Sequence, residues 1–270
     1  MDPNLTKRMN DLPKGEYNCP ICEDRGYTFE YDEEGYEVAR PCKCLAKKRA
    51  MERIERSGLS EAFKKRTFET YNTDKPYQKI AKLQARSFCD GFQDTNSSLI
   101  LTGQSGAGKT HLGCAVMLEL INTKNVFCKY ELYTTMLLNL KQSTMDKENY
   151  IKEMAKYQNP TVLFIDDFLK VRPTEADFRY IFEIVNYRYL NNKALIISTE
   201  KTIDAIIDWD EAIGGRLKQM AQGNVIEFKR DCNHDYRLGD KKWKHDIVLG
   251  VKGIYHLVNL HNIQEKKIAY

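Results

Sequence analysis

The chain has 270 residues, of which 42% are hydrophobic, so it is long enough for one large domain with a sizeable core and a smaller module besides. Its charges nearly cancel, with 42 Lys and Arg against 38 Asp and Glu; that excludes a chain basic throughout and confines any nucleic-acid surface to a local patch. Nowhere do about 18 apolar residues run together, and the opening "MDPNLTKRMNDLPKG" lacks an apolar stretch, so neither a membrane span nor a secretory signal is expected. A cytoplasmic location follows as the expectation, and there the eight cysteines read as metal ligands or buried thiols.

Four of those cysteines come early, as "CPIC" (Cys19, Cys22) and "CKC" (Cys42, Cys44). Between the pairs, aromatic and polar residues alternate through Tyr27, Phe29, Tyr31, Tyr36 and Val38, with Gly35 at a turn, which predicts a β-hairpin. Two thiolates at each end of a hairpin can close a tetrahedral Zn²⁺ site with no open position, so its role is structural. A redox pair or unconnected thiols are the alternative. "LAKKRAMERIERSGL" follows as a helix, with Ala46, Ala50 and Ile54 at helical spacing and Gly58 as its stop. Ten Lys or Arg stand against three Glu between Arg40 and Arg66. Lys47, Lys48, Arg49, Arg53 and Arg56 could meet phosphates or an acidic protein, or form a solvated face. "TYNTDKPYQ", residues 70–78, reads as a link to a second domain.

From about residue 80 helices alternate with short apolar strands: "SSLILTG", "VFCKYEL", "TVLFID", "KALIIST" and "GNVIEFK". That alternation predicts a parallel sheet covered on both faces. The helix "KTHLGCAVMLELINTK" is apolar on more than one face. "ADFRYIFEIVNYRYL" gathers Phe178, Ile181, Phe182, Val185 and Tyr189 on one.

"GQSGAGKT", residues 103–110, fills every fixed position of the phosphate-loop pattern. Backbone N–H groups of Gly103, Gln104, Ser105, Gly106, Ala107 and Gly108 would cradle phosphates. Lys109 would reach the β- and γ-phosphates and Thr110 would bind Mg²⁺. The helix entered through His111 would present its positive end to the anion. A strand before and a helix after form the context that separates such a loop from a chance match. In "VLFIDDF" the strand ends on Asp166 and Asp167, beside the phosphate crevice. Asp166 would hold Mg²⁺, and Asp167 would position or activate an attacking water. Capping aspartates at a strand end are the plainer account. In "LIIST" followed by Glu200, Thr199 is the first choice for a γ-phosphate contact, with Ser198 and Glu200 as competitors and helix capping as the alternative. Arg216, in "EAIGGRL", could reach a neighbouring subunit's γ-phosphate or be a surface arginine at a helix start.

Taken in order, "RTFETY", "LTGQSGAGKTHL", "VLFIDDF", "FEIVNYRYLNNKALIIST", "EAIGGRL" and "DYRL" resemble the bacterial and phage replicative-helicase loaders of the DnaC/DnaI type, relatives of the IstB transposition helper ATPases. The resemblance spans roughly residues 60–238. It implies an α/β AAA+ fold with a five-stranded parallel sheet ordered 5-1-4-3-2, behind a small zinc-binding module. It also implies an adenine pocket lined around Phe68, Arg216 as a finger acting in trans, and Arg237 as a second phosphate sensor. The expected boundaries are 1–70 for the zinc-binding, helicase-interacting module, 71–238 for the ATPase, and 239–270 for an extension without an assigned role. The implied activity is ATP-dependent loading of a hexameric replicative helicase onto single-stranded DNA, with ATP, Mg²⁺ and Zn²⁺ as cofactors and self-association through the ATP sites. A second Asp where relatives carry Glu fits slow, switch-like hydrolysis. A transposase helper, or a zinc adaptor using nucleotide as glue, is the rival reading.

Overall fold

The computed structural model describes residues 17, 19–93, 97–229, 247–251 and 254–258. Strands β1 (Tyr27–Tyr31) and β2 (Glu37–Pro41) pair antiparallel about Gly35, forming the expected hairpin. Helix α1 (Lys43–Arg56) follows at once; Cys42 is its N-cap, and the chain turns out of it through Ser57 and Gly58. Helix α1 packs into the main core through Ala50, with Ile54 beside it. The short helix α2 (Glu61–Lys64) comes next, and α3 (Pro76–Gly91) opens with proline in its first turn, where a missing N–H costs nothing.

The central sheet holds β3 (Leu99–Gly103), β4 (Cys128–Leu132), β5 (Val162–Phe168), β6 (Ala194–Thr199) and β7 (Val225–Phe228). All pairs are parallel and the spatial order is β4-β5-β6-β3-β7. Counting sheet strands from β3, this is the expected 5-1-4-3-2 order. The strands read as apolar runs because both faces are covered. On one face Val162, Phe164, Ala194, Ile196 and Leu101 pack with α3 and with α4 (Lys109–Lys124). On the other, Leu163, Ile165, Leu195 and Ile197 pack with four helices: α5 (Tyr133–Ser143), α6 (Lys147–Gln158), α7 (Glu175–Leu190) and α9 (Glu211–Ala221). The short α8 (Ile203–Trp209) precedes α9 and adds Ile206 to the same layer.

Two details set the depth of the layers. A Cβ on Gly113 of α4 would lie 2.4 Å from the ring of Phe164, so this helix rests directly on β5. Arg188 of α7 is fully buried and donates to the carbonyls of Tyr157, Pro160, Thr161 and Ala194, tying the entrances of β5 and β6 together. Strands β8 (Ile247–Val251) and β9 (Ile254–Val258) form an antiparallel hairpin within the expected extension. Residues 230–246 and 259–270, including Arg237 and Cys232, lie outside the described residues. Among the described residues no helix is long and apolar enough to cross a membrane.

Candidate nucleotide and metal sites

The loop between β3 and α4 turns through Gly103, Gly106 and Gly108, all at positive φ. Gly103 is under the tightest constraint, because a Cβ there would lie 2.1 Å from the Phe228 carbonyl oxygen of β7. Ser105, Gly106, Gly108, Lys109, Thr110, His111 and Asp167 line one side of a cavity of about 320 Å³. Across from them stand Arg66, Thr70, Tyr71, Asn72 and Gln78. The stretch 70–78, expected as a mere link, is therefore a wall of this cavity. Phe68 is buried at 1% exposure and is not among the lining residues; Arg86 lies over its ring, 4.7 Å from the centroid. Tyr71, three residues on, lines the cavity, and its buried hydroxyl has no hydrogen-bond partner among the described residues. No sequence signal separated Tyr71 from Phe68, since both are aromatic residues in the same short segment.

Lys109 is buried, and its Nζ donates to the Gly103 and Gln104 carbonyls at 2.8 Å each. Burial pulls its pKa below the ordinary lysine value, while the negative charges of Glu200 and Asp167 oppose the shift. Ala107 is buried beneath the loop. His111 Nε2 lies 3.1 Å from the Thr67 carbonyl and 3.3 Å from Thr70 Oγ1, and its ring meets Tyr71 edge-on. Burial lowers its pKa as well, which favours the neutral imidazole.

Asp166, in the last half of β5, is 3% exposed and accepts from three side-chain donors. Thr110 Oγ1 donates to its Oδ1 at 3.0 Å, Ser198 Oγ makes a short bond to the same oxygen, and Tyr130 OH donates to Oδ2 at 3.1 Å. An alcohol and a carboxylate side by side form the hard oxygen donor set that Mg²⁺ prefers, so the residues present fit that ion. Next in the chain, Asp167 sits at φ 55°, where the β5–β6 register slips between Ile165 and Phe168. Its backbone N–H donates to Ser198 Oγ and its side chain faces the cavity.

Thr199, the first choice for the γ-phosphate contact, is fully buried, and its hydroxyl is engaged by backbone: it donates to the Phe168 carbonyl and accepts from the Lys201 N–H. Glu200 makes a short ion pair with Lys170. Among the three competitors, Ser198 is the one joined to Asp166. Arg216 is not at this cavity. It lies inside α9, not at its start, donates to the Ala212 carbonyl, and lies over the rings of Phe182 and Tyr189.

The cysteines converge as expected. The four sulfurs of Cys19, Cys22, Cys42 and Cys44 all lie within 4.8 Å of one another. Cys19 and Cys42 are 3.7 Å apart and Cys22 and Cys44 are 3.2 Å apart, beyond disulfide bonding distance. A tetrahedral Zn²⁺ with bonds of about 2.3 Å separates its sulfurs by about 3.8 Å, so this set fits the ion. Backbone N–H groups of Cys22 and Ile21 pull the Cys19 thiol pKa down to about 7, whereas the hydrogen bond with Cys22 and burial push the Cys44 thiol up, as four thiols crowded together share their protons unequally. The other described cysteines, Cys89, Cys114 and Cys128, are buried singly. On α1, Lys48, Arg49 and Arg56 are exposed, while Arg53 makes a short bond to Asn125.

Residues 43–222 match the family model described as IstB-like ATP binding protein. YqaM of Bacillus subtilis (strain 168) is 33% identical over 285 residues, covering 87% of this chain and 90% of that protein. The phage-like element PBSX protein XkdC of the same organism is 29% identical, covering 84% of this chain and 88% of its own. Among solved structures, the DnaC helicase loader superposes with a TM-score of 0.56 at 23% identity, over 63% of this chain and 100% of its own, a likeness of fold.

Proposed function

We propose, from the premise that this chain belongs to the family of IstB-like ATP-binding proteins, that it is an ATP-dependent loader delivering a hexameric replicative DNA helicase onto single-stranded DNA. The observation that carries the reading is the presence of two sites in one chain: a phosphate-loop cavity lined by Asp167, with Asp166 bonded to Thr110 of the loop, and a four-cysteine cluster on a hairpin ahead of it. Residues 1–70 form the gripping module, with structural Zn²⁺ held by Cys19, Cys22, Cys42 and Cys44. Residues 71–238 form the ATPase that meets DNA, and 239–270 form an extension beyond it. The exposed aromatic residues of the hairpin, Phe29 at 53% and Tyr31 at 77%, suit a module that captures a partner.

In the nucleotide site, Lys109 contacts the β- and γ-phosphates, and the loop amides from Gly103 to Thr110 orient them. Thr110 and Asp166 hold Mg²⁺, which when bound neutralises phosphate charge. Asp167 orients the attacking water. Its side chain is one methylene shorter than glutamate and leaves a bulged backbone, which suits slow hydrolysis timed as a switch. Arg216 serves a neighbouring subunit's nucleotide, so ATP joins copies of the chain. The family match itself favours a second reading, a helper of a transposase that remodels a transposase–DNA complex.

Co-purification of the full chain with a replicative helicase, in ATP and Mg²⁺, tests this. Wild type is expected to carry about one zinc per chain and to retain the helicase. A Cys19→Ser/Cys22→Ser chain should lose both and still bind ATP. Retention of helicase by the zinc-free variant would reject the division of labour, and retention of a transposase in place of the helicase would reject the loader.

A further inference from the structure

Asp166 is held from three sides, and one of its holders has no part in the phosphate loop or in the strand that follows Asp166. Thr110 and Ser198 both address Oδ1. Among the described residues, Tyr130 alone addresses Oδ2, at 3.1 Å. Its placement follows from sheet register. Tyr130 pairs with Phe164 in the parallel β4–β5 ladder, and residues two apart on a strand share a face. The Tyr130 side chain therefore lies on the same face as Asp166 and reaches along β5 to its outer oxygen. The ring is fixed edge-on against Phe164 at 5.3 Å and Phe63 at 5.4 Å.

We infer that Tyr130 is a positioning residue for the Mg²⁺ site: its hydroxyl sets the rotation of the Asp166 carboxylate and so the affinity of the nucleotide site for the metal. Without this bond the carboxylate is free to pivot about Oδ1, which Thr110 and Ser198 hold, and Oδ2 loses its direction. Partners in the second shell of a metal site typically change metal affinity by 10–100-fold. Tyr130 is also anchored from outside the core. Its backbone N–H donates to the Ser57 carbonyl at 2.6 Å, just beyond α1, and Phe63 beside it carries the Arg66 guanidinium 4.0 Å from its ring centroid. Arg66 in turn lines the nucleotide cavity.

The inference rests on the reading that this cavity takes Mg²⁺–ATP, and the test separates the two. Full-length wild type and Tyr130→Phe are titrated with a fluorescent ATP analogue in EDTA, and then with Mg²⁺ at fixed analogue, with thermal melts of both. Phenylalanine keeps every ring contact and every β4 backbone bond, so the fold is retained. The variant is expected to bind the analogue in EDTA as wild type does and to need about tenfold more Mg²⁺ to reach its midpoint. An unchanged Mg²⁺ midpoint overturns the assignment, and so does a loss of analogue binding in EDTA that follows a fall in melting temperature. Wild type that binds no analogue under either condition overturns the nucleotide reading as well.

Discussion

Ser198 and Thr199 stand next to each other, carry the same functional group, and do different work. Strand parity decides it. Ile196 packs in the layer of α3 and α4, so Ser198 points to that face and meets Asp166, while Thr199 points away and ties β6 to the Phe168 carbonyl. In a strand buried on both faces the sequence shows no alternation, so "LIIST" carries no mark of which hydroxyl faces the loop. The first-choice contact therefore fell on the neighbour of the residue that touches the site. Two substitutions separate them. Ser198→Ala should raise the Mg²⁺ needed for nucleotide binding, and it too should cost about 1–3 kcal/mol of stability because it strands the Asp167 N–H and Asp166 Oδ1. Thr199→Val should leave the Mg²⁺ requirement alone and cost about 1–3 kcal/mol of stability, the penalty for stranding buried backbone partners. Melts and Mg²⁺ titrations of the two variants check both halves.

Among the elements, β3, β5 and β6 were legible as short apolar runs bounded by polar or glycine residues, and the phosphate loop was legible from its spacing. The walls of the cavity were not. Tyr71, Asn72 and Gln78 come from a polar, proline-containing stretch that resembles any connection, and its bond to α4, from Thr70 to His111, spans 41 residues of sequence. The Gly214–Gly215 pair comes directly before Arg216. It lies within α9, and its two members differ: a Cβ on Gly214 would meet the Ile207 backbone of α8 at 2.6 Å, whereas one on Gly215 meets nothing within 4 Å. Gly215→Ala should therefore stabilise the chain by up to about 1 kcal/mol, the helix-propensity gain. Gly214→Ala should destabilise it by about 1–3 kcal/mol through overpacking, displacing the helix that carries Arg216. Denaturant unfolding of the two single variants measures the difference, and equal shifts would refute the close-packing account.

At the scale of the whole molecule, one chain brings Lys109, Thr110 and Asp167 to one cavity, with Asp166 hydrogen-bonded to Thr110, and leaves Arg216 on another surface beside Phe182 and Tyr189. No pattern within a single chain reveals that separation, because residues that act across an interface need not be near one another in the fold. If Arg216 serves a neighbour, Arg216→Ala and Asp166→Asn chains should each hydrolyse ATP poorly alone and recover part of the activity when mixed, since some junctions then pair an intact nucleotide site with an intact arginine. A mixture no more active than its parts would place Arg216 outside the reaction. The parallel sheet and the convergence of the four cysteines, by contrast, follow from features the sequence carries openly, strand–helix alternation for one and paired spacing about a hairpin for the other, while the order of the strands was implied only by the resemblance to the helicase loaders.

Helix α1 begins at the cysteine cluster, where Cys42 caps it and Cys44 lies in its first turn, and the residue after its end holds the backbone of Tyr130. Its 14 residues make a stiff rod of about 21 Å. Because α1 is also packed on the main core through Ala50 and Ile54, the cysteine cluster and the backbone of Tyr130 are joined by one supported helix.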